Sequence, residues 1–297
     1  MPYAKARDGC MLYYKDWGRG DPIVLLHGWP LSADTWDFAA MKLAEAGHRC
    51  IFPDRRGFGR SDQPWDGYDY DTFTDDVAAV LEDAGVHERV SLVGFSMGGG
   101  EVARFLTKQG RNRVNKAVLA SSIVPDVAKS DANPHGVPKD QLQQMVDKIT
   151  KDRAAFMHDF FKTFFGVGLV SSPVSDQVLM NAWRQSMQAG LRPTLAAAKA
   201  FSFTDFTPDL KSFDGVPTLC IHGTSDETVP IEATGDVVAR EIPGAKFIKY
   251  EGSAHGIFES DRDRFCDDLV AFLGGDMDRI DREAERRVED REVERTY

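Results

Sequence analysis

The chain has few of the residues that hold small exported proteins or zinc proteins together. Its four cysteines, Cys10, Cys50, Cys220 and Cys266, are far apart and form no C-x-x-C pair. This spacing argues against a disulfide framework and against a zinc site. Cys220 lies in the apolar run "TLCI", where we expect a small buried hydrophobic residue. The cysteines therefore predict neither a disulfide framework nor a zinc site.

Long apolar segments are also missing. The first ten residues, "MPYAKARDGC", lack the apolar core of a signal peptide. No stretch reaches the roughly 18 apolar residues that a bilayer-spanning helix needs. Together with the cysteine pattern, these absences predict a soluble protein of the reducing cytoplasm.

The chain has fewer basic residues than acidic ones, 36 against 47. The formal net charge of −11 argues against nucleic acid or an anionic membrane as the main partner. No internal repeat is visible either. In contrast, 297 residues with 42% hydrophobic content can bury a large core, so the chain has the composition of an ordinary globular protein.

Short apolar runs alternate with longer amphipathic segments along most of the chain. The runs have the length and β-branched content of strands, and several are apolar at consecutive positions, as in strands covered on both faces. They are "PIVLLH" at 22–27, "CIFPD" at 50–54, "VSLVGF" at 90–95, "KAVLAS" at 116–121, "TLCIH" at 218–222 and "KFIKY" at 246–250. Alternation with helices predicts an α/β protein with a largely parallel sheet, which an N-terminal antiparallel hairpin precedes.

The alternation stops in the middle of the chain. Residues 126–208 contain helical patterns and no convincing strand, so we predict a helical cap inserted into a core formed by 1–125 and 209–274. The cap is rich in phenylalanine, which either packs it onto the core or also walls a pocket. Residues 275–297 are highly charged with a thin apolar stripe, which predicts a frayed helix or a disordered tail.

The sequence "GFSMG" carries the first chemical signal. Ser96 follows an apolar strand and precedes a helical segment, with Gly94 and Gly98 on either side. Such glycines permit a sharp strand-to-helix turn that exposes a serine, and the helix N-terminus favours an anionic intermediate. A serine hydroxyl becomes a good nucleophile only beside a base. The pattern therefore predicts Ser96 as a nucleophile and requires a histidine nearby.

Of the seven histidines, His255 has the most suitable position. It lies in "EGSAHGIFE", after the strand-like "KFIKY" and before the last core helix. Side chains at the carboxyl ends of parallel strands meet ligands in such sheets. His27 and His222 each precede a glycine at a strand end, where a structural hydrogen bond is the better interpretation. His255 is therefore the predicted general base.

The third member of a triad is an acid that orients the imidazole. Asp226, in "IHGTSDETVP" after the strand "TLCIH", is the leading candidate. Glu227 beside it and Asp126 after "KAVLAS" remain alternatives. The chain order Ser96, Asp226, His255 is the order expected for a strand–turn–helix serine nucleophile rather than for chymotrypsin or subtilisin.

Two backbone N–H groups are predicted to bind the oxyanion of a tetrahedral intermediate. One belongs to Met97, directly after the nucleophile. The other belongs to Trp29, in the loop that follows the strand "IVLLHGWP". We also expect Phe206, Thr228, Ile231 and Phe258 to contribute to a substrate pocket, although each is equally compatible with core packing.

Taken together, these motifs resemble the α/β-hydrolase fold, and within it the cofactor-free bacterial haloperoxidases, or perhydrolases, and their aryl-esterase relatives. The similar stretches include "HGWPLSADTW", "PDRRGFGRSDQPWDGYDYDTF", "LVGFSMGGGEVAR" and "VPTLCIHGTSDETVP", and span about residues 3–273. The resemblance implies a mostly parallel central sheet of about eight strands with helices on both faces and an inserted helical cap.

The resemblance also implies an activity. Ser96 would form an acyl-enzyme from a small carboxylic ester or acid, which water resolves by hydrolysis and hydrogen peroxide resolves to a peracid. The family is free of metal and haem and commonly forms homo-oligomers. A serine at position 96 excludes the aspartate nucleophile of dehalogenases and epoxide hydrolases. A lactonase, amidase or carbon–carbon hydrolase with the same triad, and a ligand receptor on the same fold, remain alternatives.

Overall fold

The central feature of the protein is an eight-stranded sheet, seen in a computed structural model that describes residues 2–168 and 171–284. In these residues the strand order is β1-β2-β4-β3-β5-β6-β7-β8. The strands are β1 (Tyr3–Lys5), β2 (Met11–Gly18), β3 (Asp21–Leu26), β4 (His48–Pro53), β5 (Val90–Phe95), β6 (Val114–Ala120), β7 (Thr218–Gly223) and β8 (Lys246–Tyr250). β1 and β2 pair antiparallel, and β3 to β8 are parallel. The predicted mostly parallel sheet and its N-terminal hairpin are confirmed.

The parallel strands are buried on both faces. Every residue of β5 and β7 is buried, as their unbroken apolar patterns predict. The covering helices are α1 (Asp37–Glu45), α2 (Tyr70–Asp83), α3 (Met97–Gln109), α4 (Lys139–Phe164), α5 (Asp176–Gln188), α6 (Leu191–Phe203), α7 (Gly235–Glu241), α8 (Ile257–Ser260) and α9 (Arg262–Gly274). The order in which successive strands are added to the sheet reverses at β3, because β4 lies on one side of it and β5 on the other, all three being parallel. Ligands of open parallel sheets bind at such a point, beyond the carboxyl ends of the strands.

The helical insertion lies between β6 and β7 and contains α4, α5 and α6. α4 is kinked at Asp152, whose φ of −155° and ψ of 87° are not helical. Its two arms pack against α5 and α6, so the insertion forms a small layer of its own above the sheet. This confirms the predicted helical cap.

The charged C-terminal segment begins as an ordered helix. Residues 277–284 are helical, and Ile280 is completely buried. The frayed helix or disordered tail expected over 275–297 stays a prediction. Lys246 Nζ lies 2.6 Å from Asp281 Oδ1, which joins this helix to β8. Residues 285–297 lie outside the described residues. Among the helices within 2–168 and 171–284, none combines the length and the apolar character needed to cross a bilayer.

Candidate active site

Ser96 occupies a strained turn between β5 and α3. Its φ of 53° and ψ of −117° lie in a region that residues with a side chain rarely adopt. The turn is held because the Ser96 N–H donates to Ala120 O at 2.9 Å, and Ser96 O accepts from Gly99 N at 2.9 Å. The side chain therefore projects above the carboxyl end of the sheet instead of joining the helix.

The glycines on either side of Ser96 are required by close backbone contacts. A Cβ atom at Gly94 would lie 2.4 Å from Gly98 O, and one at Gly98 would lie 2.2 Å from Leu26 O. Any side chain would therefore push the strand and the first turn of α3 apart. This explains why a turn of this type needs glycine two residues before and after the serine.

The next two glycines, Gly99 and Gly100, bring α3 against its neighbours. A Cβ atom at Gly99 would lie 2.0 Å from Ser122 Oγ. One at Gly100 would lie 2.5 Å from the ring of Phe206 and 2.6 Å from that of Tyr70. The whole run Gly98–Gly100 thus serves the tight packing of the first turn of α3.

The structure brings Ser96, His255 and Asp226 into one hydrogen-bonded chain. His255 Nε2 lies 2.9 Å from Ser96 Oγ, and His255 Nδ1 lies 2.6 Å from Asp226 Oδ2. The acceptors assign the tautomer: Nδ1–H donates to the carboxylate, and Nε2 accepts from the serine hydroxyl. The imidazole lies between the rings of Phe95 and Phe164, with centroid distances of 5.0 and 4.8 Å. These rings keep the histidine in place and exclude water from its faces.

Asp226 is buried, yet its environment favours the carboxylate. Burial alone would raise its pKa, but the attraction of His255 and hydrogen bonding from His222 and His255 outweigh burial and hold the pKa well below the usual range. Asp226 Oδ1 accepts from Thr228 N at 2.9 Å and Val229 N at 2.8 Å. The acid beside His255 is therefore ionised at neutral pH.

The two alternative acids are placed elsewhere. Glu227 is exposed and lines the adjacent cavity. Asp126 accepts a hydrogen bond from Ala128 N at 2.9 Å, within its own loop. Neither has a hydrogen bond to His255 in the part of the chain that the structure describes.

His27 supports the loop that carries Trp29. Its Nε2 accepts from Arg55 N at 3.0 Å, and its Nδ1–H donates to Gly28 O at 2.9 Å. The Arg55 guanidinium donates to His27 O at 2.6 Å and forms a buried ion pair with Glu101 of α3. Burial, followed by the charge of Arg55, holds the pKa of His27 well below its ordinary value, so His27 is a neutral support.

Trp29 and Met97 lie next to the nucleophile. A Cβ atom at Gly28 would lie 3.1 Å from Ser96 Cβ, so the chain entering Trp29 passes directly over Ser96. Within residues 2–168 and 171–284, the Trp29 N–H has no hydrogen-bond acceptor, and Met97 is the first residue of α3, where N–H groups have no intrahelical acceptor. Both N–H groups are therefore available to an oxyanion.

A cavity of about 830 Å³ opens above Ser96 and His255, between the sheet and the cap. Trp29 forms part of its wall, with the rings of Phe160 and Phe201 packed on the indole at 5.5 and 5.4 Å. α4 lines its length with residues spaced three or four apart, as one helical face requires. They include Met145, Lys148, Asp152, Phe156, Phe160 and Thr163.

Of the four predicted pocket residues, the structure places only Thr228 in the lining of this cavity, as far as the described residues show. Phe206 is completely buried and packs edge-on against Tyr70 at 4.6 Å, on the far side of α3. Ile231 is buried at the start of a short 3₁₀ helix. Phe258 packs against Phe95 at 4.9 Å and so lies behind the imidazole of His255.

The cap phenylalanines do both things that the sequence left open: Phe156 and Phe160 line the cavity, whereas Phe161, Phe164 and Phe165 are buried. The four predicted pocket residues included none from α4. The repeat of Met145, Asp152, Phe156, Phe160 and Thr163 on one face of the helix was readable from the sequence. The sequence does not show whether this face points to the cavity or to solvent. In the structure α4 is kinked at Asp152, and residues of both arms line the cavity. Among the described residues, no group of three or more metal-ligating side chains comes together.

This arrangement joins a serine hydroxyl, an imidazole and an ionised carboxylate beside two N–H groups without acceptors and an open cavity, which is the geometry that acyl transfer needs. Residues 21–261 match the profile of a family described as alpha/beta hydrolase fold. The chain is 42% identical to the non-heme chloroperoxidase of Kitasatospora aureofaciens and 41% identical to the bifunctional esterase/perhydrolase of Acinetobacter calcoaceticus. Each alignment covers 92% of this chain and 99% of the relative.

A solved structure is equally similar. The bromoperoxidase from Bacillus anthracis superposes with a TM-score of 0.88 at 41% sequence identity, over 92% of this chain and 99% of that chain. The fold and the insertion are therefore shared across nearly the full length of the relatives.

Proposed function

Because the chain belongs to the non-heme haloperoxidase and esterase/perhydrolase group of the α/β-hydrolase family, we propose that it acts on carboxylic esters through an acyl-enzyme on Ser96 and also forms peracids. The observation that carries the proposal is the continuous contact from Asp226 through His255 to Ser96, at 2.6 and 2.9 Å, at the base of the cavity. Similarity to an esterase/perhydrolase and to a chloroperoxidase supports both halves of the activity.

In the first half-reaction, His255 Nε2 takes the proton of Ser96 Oγ as the oxygen attacks the carbonyl carbon of the ester. The ionised Asp226 stabilises the imidazolium that forms. The Trp29 and Met97 N–H groups donate to the oxyanion. The tetrahedral intermediate then collapses: the bond to the leaving oxygen breaks, His255 donates its proton to that oxygen, and the alcohol departs from an acyl-serine.

In the second half-reaction, His255 removes a proton from water or from hydrogen peroxide. The water or peroxide oxygen attacks the acyl carbon, the bond from that carbon to Ser96 Oγ breaks, and His255 returns the proton to Oγ, so water gives the carboxylic acid and peroxide gives the peracid. When the acyl donor is a carboxylic acid, the first half-reaction releases water instead of an alcohol. Halide oxidation would follow in solution from the released peracid, so it requires no halide site in the protein.

The shape of the cavity indicates which acyl groups fit. Its wall near Ser96 is aromatic, and its volume of about 830 Å³ lies within the range of cavities that hold drug-sized ligands. We therefore propose that small esters such as acetates fill only part of the cavity. Esters with an aromatic or medium-length acyl chain bind more tightly because they bury more apolar surface.

The proposed mechanism is tested by Ser96→Ala, assayed for p-nitrophenyl acetate hydrolysis and for peracid formation from acetate and hydrogen peroxide. Loss of a triad member costs several orders of magnitude, so both activities should fall together to trace levels. Survival of either activity would contradict the shared acyl-enzyme. The wild-type ratio of the two rates separates a perhydrolase from a plain esterase, and tight ligand binding without any turnover would favour a receptor.

We further propose a homo-oligomer in the reducing cytoplasm. The four buried free thiols support the compartment, because thiols persist under reducing conditions. The assembly rests on the family resemblance alone. Light scattering coupled to size-exclusion chromatography measures the assembly directly, and a monomer mass at micromolar concentration would overturn it.

A further inference from the structure

His222, which the mechanism above does not use, lies directly behind the proposed catalytic acid. It is the penultimate residue of β7 and is completely buried. Its Nε2 lies 3.0 Å from Val229 O and 3.1 Å from Asp226 Oδ2, the same oxygen that accepts from His255. Two histidines therefore contact one carboxylate oxygen, one from the cavity side and one from inside the sheet.

The tautomer of His222 follows from its neighbours. Nε2 faces two acceptor oxygens, so it carries the ring hydrogen: it donates to Val229 O at 3.0 Å and lies 3.1 Å from Asp226 Oδ2. Nδ1 has no hydrogen-bond partner in the described part of the chain. It lies against α7, where a Cβ atom at Gly235 would be 3.0 Å away. The arrangement fits a neutral imidazole with its hydrogen on Nε2 and an empty Nδ1.

The contacts of His222 also fix the loop that carries Asp226. Val229 donates from its N–H to Asp226 Oδ1 and accepts at its carbonyl from His222. The N–H and the carbonyl of Val229 thus hold the loop to Asp226 and to His222. These contacts restrict rotation of the Asp226 carboxylate about its Cβ–Cγ bond. His222 does not line the cavity, so substrate binding does not involve it directly.

We infer that His222 is a positioning residue of the proposed triad: its Nε2–H orients the Asp226 carboxylate and draws part of the negative charge on Oδ2 away from His255. This inference rests on the proposed function. It makes His222 a regulator of how strongly Asp226 stabilises the imidazolium form of His255, and therefore of the pH range in which His255 acts as a base.

The consequence of removing the Nε2–H can be stated in advance. Without that donor, Oδ2 presents its full charge to His255, the imidazolium becomes more stable, and the acidic limb of the kcat/KM profile moves to higher pH, by about half a unit or more. The carboxylate also loses an orienting contact, so kcat falls by about tenfold. KM stays nearly unchanged.

Two variants separate this role from ordinary packing. His222→Leu removes the donor at similar volume, whereas His222→Gln retains an amide N–H near the position of Nε2. The titratable groups around His222 are left unchanged in both variants; they are Asp226 and His255, Lys249 opposite His222 on β8, and Asp236 of α7, which pairs with Lys249. Far-UV circular dichroism and thermal unfolding report whether each variant is folded.

The measurements are kcat, KM and the pH profile on p-nitrophenyl esters, together with the pH-dependent rate at which a fluorophosphonate labels Ser96. Labelling needs the same base but no ester turnover, so it tests His222 even if the proposed substrate class is wrong. Absence of wild-type ester turnover with retained labelling would count against the proposed function alone.

The inference is supported if His222→Leu lowers kcat and the labelling rate, shifts the acidic limb upward, and His222→Gln restores both. It is overturned if folded His222→Leu matches the wild type, or if both variants lose activity without a shift of the limb. Should the variants not fold, ¹⁵N-histidine spectra of the wild type decide: an Nε2–H signal for His222 supports the inference, and an Nδ1–H signal overturns it.

Discussion

Replacing Gly94 by alanine tests whether the geometry of the turn at Ser96 sets the activity. The new Cβ atom would lie 2.4 Å from Gly98 O, 2.5 Å from Gly98 C and 2.6 Å from Gly99 N. All three are backbone atoms in the first turn of α3, so no side-chain rotation can relieve the contact. An ordinary contact between such atoms needs about 3.5 Å, so strand and helix must separate by about 1 Å.

A displacement of this size affects catalysis more than folding. Ser96 Oγ lies 2.9 Å from His255 Nε2, and a shift of about 1 Å carries it beyond hydrogen-bonding distance. Misplacement of a reacting group by about 1 Å can cost about 100-fold in rate. The stability cost of overpacking is about 1–3 kcal/mol, or roughly 2–4 °C in the melting temperature for each kcal/mol.

Gly274→Ala is the matched control. Gly274 is the last residue of α9, and a Cβ atom there would meet nothing within 4 Å. Alanine favours the helix over glycine by up to about 1 kcal/mol, so this variant should keep full activity and equal or higher stability. Both proteins are assayed with p-nitrophenyl acetate after titration of active serines with a fluorophosphonate. A folded Gly94→Ala protein with kcat within threefold of the wild type would refute the reasoning.

Two further changes test the acid and the cavity. Asp226→Asn should lower kcat on p-nitrophenyl acetate by about 10⁴-fold with little change in KM, since the orienting charge is lost; a loss below tenfold would assign the acid elsewhere. The pKa of Asp226 is lower in the folded protein than in the unfolded chain, where it is about 3.9. Asp226 therefore stabilises the fold above about pH 3.9, and this contribution to the free energy of unfolding is lost as the pH falls toward the folded pKa. Urea unfolding from pH 7 to pH 2 measures the loss. Phe160→Ala should lower the kcat/KM ratio of hexanoate to acetate p-nitrophenyl esters about tenfold, because the longer acyl chain loses apolar contact with the ring packed on Trp29, and an unchanged ratio would place the acyl chain in another part of the cavity.

Much of the fold and the candidate triad could be predicted because local signals specify them. The strands β5 and β7 are mostly apolar and buried along their whole length; Ser96 follows β5 directly and Asp226 follows β7 within three residues. A turn that tolerates only glycine at Gly94 and Gly98 leaves a sequence signature, since the constraint acts within a few residues. His255 was identifiable for the same reason, by its position after β8.

The cavity wall could not be predicted, because it depends on contacts between distant segments. Phe206 precedes β7 and Phe258 closely follows His255, but their rings face Tyr70 and Phe95 rather than the cavity. Conversely, Phe160 is far from Ser96 in sequence, yet its ring packs on Trp29. α4, which carries Phe160, is kinked at Asp152, where no proline or glycine in the sequence indicates a bend.

The cap forms hydrogen bonds with the proposed catalytic machinery at two points, so its role is not limited to selecting substrates. The Trp29 indole donates to Thr194 O of α6 at 3.0 Å, so the cap holds the side chain of a proposed oxyanion donor. At the end of α4, Phe164 O accepts from Gly256 N at 2.8 Å, directly beside His255. A lid that only selected substrates would need neither contact. Since both join the cap backbone to residues adjacent to the reacting atoms, changes in the cap that alter substrate preference must also alter kcat unless these two hydrogen bonds are retained.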